Sequence, residues 1–471
     1  MNKRILLFLF SIALFTLCAC DNKKEETDNV KVNRLDTLFN ELFEEGKFNG
    51  NVLIAENGKA IYEKSLGLAN EISKQQLNIE TRFELASVSK QFTAMGIVQL
   101  QKENKLSYQD DFSKYLPELD FYKGITIHDL LIHTSGLADY MELAIAHWDK
   151  SKIANNENMI QLFEKVKPEL EFEPGEKFSY SNTGYMLLAT IIERVSGKSF
   201  EGYLKEKIFD PLQMTNTFVY RRWYQPEDLD NYAQGYIYSD SLAQIVLPYE
   251  ANRKTVYLDG IVGDGIVNST VYDLLKWDRA LYGDDLVNDE DKKIIFSSYK
   301  LNNGSETKYG YGWQISNSKV YGRRVAHAGS WAGYETYIER HSDKDKTIII
   351  LQNHSTPKTE IPSSDICKIL YNQPIEKEIH LDTTILKPYS GLYENAKGKE
   401  YHLQFKEKQL FFLPKPEIEL RLIPVSKTKF IVDRVSPELT FTFILNEKGE
   451  VEKCRFTQVE KEVDRELIRK S

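Results

Sequence analysis

An α+β chain with a small antiparallel β-barrel at its C-terminal end is the fold this sequence predicts, and three observations carry that expectation. A helix and a hairpin open the main domain, strand character returns only beyond residue 320, and residues 380–471 fall into short alternating runs. Leu35, Leu38, Phe39, Leu42 and Phe43 form the i, i+3, i+4, i+7, i+8 stripe of an amphipathic helix, and Gly46 sits where such a helix stops. Val52-Leu53-Ile54-Ala55 and the stretch from Ala60 to Leu66 flank Asn57-Gly58, the strongest short-range hairpin signal. The middle is helix-rich and punctuated by Glu173-Pro174-Gly175-Glu176. Strand character resumes over 320–328, 334–339 and 347–351, so the sheet draws on both ends of its domain, which argues against a repeating βαβ wind.

Near Asn372-Gln373-Pro374 the texture changes. Runs such as Tyr401-His402-Leu403-Gln404-Phe405, Lys429-Phe430-Ile431-Val432 and Leu439-Thr440-Phe441-Thr442-Phe443 alternate with period two, as strands of a small barrel or sandwich do. The expected division is a signal over 1–20, a charged tether over 21–31, a main domain over 32–372, a linker over 373–379 and a barrel over 380–471. Nothing in the barrel segment reads as catalytic.

The 471 residues hold 61 Lys+Arg against 70 Asp+Glu, a formal charge of −9. With 41% hydrophobic and 28% charged residues, most of the chain is neither disordered nor membrane-embedded. The acidic balance and the lack of a basic block argue against a nucleic-acid partner. Four cysteines (Cys18, Cys20, Cys367, Cys454) make neither a disulfide framework nor a zinc-knuckle spacing, and Cys367 and Cys454 read as buried, unpaired small hydrophobes, with a bridge between the two as the alternative.

Residues 1–20 have a positive start (Lys3, Arg4) and an apolar run from Ile5 to Ala19, too short for a membrane span and suited to a signal-peptide core. The run ends in Leu17-Cys18-Ala19-Cys20, which resembles a bacterial lipobox despite the unusual Cys18. The resemblance implies lipidation of Cys20 and attachment to a membrane of the cell envelope; a plain secretory signal cleaved nearby is the alternative. Removing residues 1–19 takes away Lys3 and Arg4 and brings the charge to about −11.

Chemistry enters with Ser87-Val88-Ser89-Lys90. On a helix start, Lys90 falls on the same face as Ser87 and within reach of it. A serine hydroxyl needs an adjacent base, and a helix N-terminus favours a developing oxyanion. The pattern is common by chance, but two more segments join it: Tyr180-Ser181-Asn182 before a helix, and His327-Ala328-Gly329 at a strand end. In this order and spacing the set resembles the serine β-lactamase and penicillin-binding-protein superfamily, most closely its class C-like branch of esterases, D-aminopeptidases and DD-peptidases. Leu130-Leu131-Ile132-His133-Thr134-Ser135-Gly136-Leu137, Gly263-Asp264-Gly265-Ile266-Val267 and Tyr309-Gly310-Tyr311-Gly312-Trp313 support it. Against the Ser-x-x-Lys, Ser-Asp-Asn, Lys-Thr-Gly set of class A enzymes, this chain has Tyr-Ser-Asn and His-Ala-Gly.

The resemblance, which spans roughly residues 32–372, implies a β-lactamase/transpeptidase-like antiparallel sheet flanked by helices, with a helical subdomain. It also implies roles. Ser87 becomes acylated; Lys90 and Tyr180 share its proton; Tyr180 later activates the deacylating water. Asn182 orients Lys90 and the substrate, the backbone N–H groups of Ser87 and Ser330 form the oxyanion hole, Gly329 lets the strand come close, and His327 assists the Tyr180 network. Free lysine and tyrosine are almost fully protonated at pH 7, so which of Lys90, Tyr180 and His327 is the base at each step is not fixed by sequence. Trp331 is read as a wall of the acyl pocket, with packing as its alternative. His133 is read as structural, no metal site is formed, and Ser330 stands one position early for a nucleophile elbow.

A neutral imidazole and the Ala328 methyl replace the cation and hydroxyl that meet a carboxylate in the Lys-Thr-Gly version, a loss of about 2–3 kcal/mol in binding. The expectation is therefore an envelope-anchored serine hydrolase acting on esters or small D-amino-acid-containing peptides and amides, without metal or organic cofactor. The alternatives are a DD-peptidase or weak β-lactamase, and a non-catalytic protein that binds cell-wall fragments. Oligomeric state and membrane face are not fixed by the sequence.

Overall fold

The computed structural model describes residues 29–251, 254–433, 435, 438–458 and 463–470. The expected signal, Cys20 and most of the tether lie outside the described residues. Among those described, no helix is long and apolar enough to cross a membrane.

Helix α1 (29–44) leads into strands β1 (Gly50–Glu56) and β2 (Lys59–Leu66). Asn57 at φ +51° and Gly58 at φ +73° make the two-residue turn, both in the left-handed region that such a hairpin requires. The far strands are β3 (Gln314–Ser318), β4 (Gly322–Trp331), β5 (Tyr334–His341) and β6 (Lys346–Gln352). Their order in the sheet is β3-β4-β5-β6-β1-β2, and β1 runs antiparallel to β6 with Gly50 opposite Gln352. The two ends of the domain thus share one sheet, as expected. Strand β4 is longer than its sequence pattern, so Gly329, Ser330 and Trp331 lie on it rather than beyond its end.

Between the two halves of the sheet stand the helices that position the site: α2 (Lys90–Lys102), α3 (Asn182–Ser196) and α4 (Val271–Ala280). Ser181 caps α3 by accepting the Gly184 N–H, and Gly197 at φ +70° ends it. Helices α2 and α3 meet closely at Gly96, where a Cβ would come 2.7 Å from Ile192 Cδ1. Helix α4 brings buried Asp278 to the sheet, where its carboxylate accepts from Arg340 Nε at 2.5 Å and from the Thr347 hydroxyl at 2.9 Å. Buried charges of this kind persist only when paired.

By contacts the chain forms two units. One runs through Ser316 and includes Arg323–Ile361; the other holds Asn317–Gly322 and everything from Pro362 onward. Helix Ser363–Leu370, placed in the main domain by the sequence reading, groups by contacts with the second unit. In that unit eight strands, β7 (Gly391–Asn395), β8 (Glu400–Lys406), β9 (Gln409–Lys415), β10 (Ile418–Pro424), β11 (Lys429–Val432), β12 (Thr440–Leu445), β13 (Val451–Gln458) and β14 (Val463–Arg469), close into a barrel through the antiparallel pairing of β7 with β14. Its interior is filled by rings: Tyr389 stacks on Phe443 at 4.1 Å, Tyr401 meets Phe456 at 4.9 Å, and Phe412 meets Phe441 at 5.1 Å. Cys367 and Cys454 are buried and form no disulfide among the described residues, and burial pushes the Cys454 thiol up.

Candidate active site

Ser87 lies on a single 3₁₀ turn, Ala86–Ser89, directly before α2, one step earlier than a helix start would place it. Ala86, a non-glycine residue at φ +48°, makes the sharp entry to that turn, and the preceding Leu85 is tied to Val267 by its N–H. Lys90, fully buried on the first turn of α2, has three contacts: Ser87 Oγ at 3.1 Å, Asn182 Oδ1 at 2.8 Å and the Asp264 carbonyl at 2.8 Å. The last two groups can only accept, so they fix two N–H directions of the amine. The remaining tetrahedral position is aimed at the Ser87 hydroxyl, as a donor in the ammonium and as a lone pair in the amine. Asp264 follows Gly263 at φ +108°, where a Cβ would lie 2.3 Å from the Tyr185 carbonyl; a glycine is required for this carbonyl to reach Lys90 beside α3.

Tyr180, two residues before Asn182, places its ring centroid 4.9 Å from Lys90 Nζ. It is 41% exposed, and its hydroxyl has no hydrogen-bond partner among the described residues. His327 is buried behind it, ring centroids 6.1 Å apart. Nδ1 of His327 is 2.7 Å from the Ala328 carbonyl, which only accepts, so Nδ1 carries the proton and Nε2 accepts from the Tyr309 hydroxyl at 2.8 Å. Burial, reinforced by the charge of Lys90, brings the imidazole down to about 3, and it is neutral at physiological pH. Both nitrogens are thus engaged, and the polar partner of His327 is Tyr309 rather than Tyr180.

A pocket opens beside the nucleophile, with about 470 Å³ of empty space when the solvent at its mouth is counted. Ser87, Asn182, Ser330 and Trp331 line one part of it. Gly329 brings β4 against the Ser87 turn: a Cβ there would stand 2.3 Å from Leu85 O, 2.3 Å from Thr336 Oγ1 and 3.1 Å from Ser87 N. The carboxyl groups on the remaining wall are Glu84, Asp259 and Asp264. Glu84 pairs with Arg222, Asp259 accepts the Trp223 and Tyr224 N–H groups, and Asp264 accepts the Tyr140 hydroxyl at 2.9 Å. Burial raises all three carboxyls above their usual range, against the pull of Arg222 on Glu84 and of Lys90 on Asp264.

Ser87, Lys90, Tyr180, Asn182, His327, Gly329, Ser330 and Trp331 therefore come from separate stretches of chain to one neighbourhood. Three participants were missed in the sequence: the Asp264 carbonyl, Tyr309 and the acidic wall. The first two lie in the stretches 263–267 and 309–313, whose likeness to the class C-like branch was the available signal.

Residues 35–364 match the Beta-lactamase family. Penicillin-binding protein 4* of Bacillus subtilis (strain 168) is 40% identical over 444 residues, 90% of this chain and 98% of that protein. Among solved structures, the octameric penicillin-binding protein homologue from Pyrococcus abyssi is similar at a TM-score of 0.65 and 26% identity, over 93% of this chain and 99% of that one. The D-amino acid amidase from Ochrobactrum anthropi SV3 shares the fold, with a TM-score of 0.60 and 19% identity over 74% of this chain and 99% of that one.

Proposed function

Since the chain belongs to the Beta-lactamase family, we propose that it is a serine hydrolase that acts through an acyl-enzyme on neutral esters or small D-amino-acid-containing amides and peptides, held at the cell envelope by a lipid on Cys20. The observation that carries the catalytic reading is the Lys90 amine, pinned by Asn182 and the Asp264 carbonyl with its free position 3.1 Å from Ser87 Oγ. Ser87 Oγ attacks the substrate carbonyl as its proton passes to Lys90. The developing oxyanion is met by the backbone N–H groups of Ser87 and Ser330. Collapse expels the leaving alcohol or amine, which takes that proton, and leaves Ser87 acylated. Water, giving its proton through the Tyr180 hydroxyl to the Lys90 amine, then adds to the acyl carbonyl; collapse breaks the acyl–Oγ bond, releases the acid and returns that proton from Lys90 to Ser87 Oγ.

Charge on the pocket wall supports the choice of substrate. Lys90 is pinned by Asn182 and the Asp264 carbonyl and faces Ser87, and Arg222 is paired with Glu84, while Asp259 and Asp264 face the same space. Among the described residues a substrate carboxylate finds no cation lining this pocket, whereas an uncharged ester or the amine of an amino amide meets no like charge. Side-by-side turnover of p-nitrophenyl esters, D-amino p-nitroanilides and nitrocefin, with Ser87→Ala as control, tests this. Esters or amino anilides are expected to lead, and nitrocefin turnover equal to theirs would overturn it. Labelled palmitate on the wild type but not on Cys20→Ala tests the anchor.

A second reading, a DD-peptidase with weak β-lactamase activity, draws on the 40% identity to a penicillin-binding protein. Stable labelling of Ser87 by fluorescent penicillin, with release of D-Ala from a D-Ala-D-Ala peptide, would favour it over the first.

A further inference from the structure

His133 takes no part in the bond-making steps above, yet it holds Tyr180 in three ways. Its carbonyl accepts the Ser179 N–H at 3.0 Å, and its Nδ1 accepts the Ser181 N–H at 3.0 Å, so one residue grips the backbone on both sides of the tyrosine. Its ring lies 4.4 Å from the Tyr180 ring with 36° between the planes. On its other sides the imidazole meets Tyr185 at 5.1 Å and Tyr309 at 4.6 Å, the latter being the residue that donates to His327.

Two features mark the position as unusual. His133 sits at φ +60°, the left-handed region that is uncommon for a non-glycine residue. Because Nδ1 accepts, the neutral imidazole carries its proton on Nε2, and that atom is buried without a hydrogen-bond partner. A fold that retains an uncommon backbone conformation and an unpaired donor side by side is using the residue for something that another would not provide.

We propose that His133 is a positioning residue of the reaction, fixing the Tyr180 phenol over the Lys90 amine by clamping Ser179 and Ser181 and by giving the phenol ring a face to pack on. The inference rests on the reading of Tyr180 as the group that activates the deacylating water. Burial, Lys90 and His327 all oppose a charge on the His133 ring, so the clamp is not released by protonation near neutral pH.

A double-mutant cycle tests it. His133→Asn keeps a side-chain acceptor and a residue type that tolerates the left-handed region, but loses the ring; His133→Phe keeps a ring and loses the acceptor. Each is measured alone and with Tyr180→Phe, on a p-nitrophenyl ester, with Tm recorded beside kcat and KM. Either change alone is expected to lower kcat roughly tenfold with KM within about twofold, and to add less than about twofold in the Tyr180→Phe background. Losses that multiply in both backgrounds, or a parental kcat in His133→Asn, would make His133 merely structural. Should His133→Asn melt early, His133→Gln repeats the cycle. A parental kcat in Tyr180→Phe alone is a different result: it removes the role of Tyr180 itself, and the proposal with it.

Discussion

Replacing Gly329 by alanine adds one methyl group at the point where β4 meets the nucleophile turn. In the structure that methyl would stand 2.3 Å from both Leu85 O and Thr336 Oγ1. Those two atoms are already joined by a hydrogen bond of 2.6 Å, so neither can retreat without breaking it. Reaching an ordinary contact distance requires an opening of roughly 1 Å between β4 and the Ser87 turn. The same opening separates the two backbone N–H groups assigned to the oxyanion, and a misplacement of about 1 Å costs on the order of 100-fold in rate. Overpacking adds about 1–3 kcal/mol of destabilisation. The assay is kcat/KM on a short-chain p-nitrophenyl ester, with active sites counted by a fluorophosphonate and Tm measured alongside. A fall of roughly 100-fold, carried by kcat, with a Tm loss of a few degrees is expected. A folded Gly329→Ala protein within about threefold of the parent would refute the reasoning, because the strand would then have room that the geometry denies it.

Three further outcomes are expected. Tyr309→Phe leaves the buried Nε2 of His327 without its donor and should lower stability by about 1–3 kcal/mol in urea unfolding. Arg340→Met takes from the buried Asp278 carboxylate one of its two guanidinium partners, leaving Arg279 and the Thr347 hydroxyl, and should cost about 1–3 kcal/mol, read the same way. His327, held at about 3 against 6.5 when unfolded, stays uncharged in the native state, so its contribution to stability is complete above pH 6.5 and is lost as pH falls from there toward 3. Buried His133 acts in the same direction. Melting temperatures between pH 7 and 4 should therefore fall, and less steeply in His327→Gln; identical slopes would contradict the assignment.

How much of this was legible in the chain differs from residue to residue. The Ser87–Lys90 spacing is common by chance, and Ser87, Lys90, Tyr180, Asn182 and His327 were legible only together, through the resemblance of three motifs in their order along the chain to one superfamily. The barrel was legible through its period of two, although closure by β7 and β14 depends on shear and tilt, which alternation does not encode. The third partner of Lys90 was hidden for a plainer reason: it is a backbone carbonyl, and any residue type at position 264 supplies one. Tyr309 was hidden because its partner, His327, is an equally good match for many hydroxyls, and only the fold selects which. The acidic wall combines Glu84 with Asp259 and Asp264, and nothing in the local pattern of either stretch signals the other.

The pairing of β1 with β6 has a consequence for how the chain matures. Gly50 finds Gln352 only after nearly all of the first unit has been made, so strand β1 stays unpaired on one side until then. Contacts of such separation slow folding and prolong the life of an exposed strand edge. The first unit locks into its final form only once the last of these strands arrives. A fragment ending before Lys346 should accordingly collect as aggregate rather than as a smaller hydrolase.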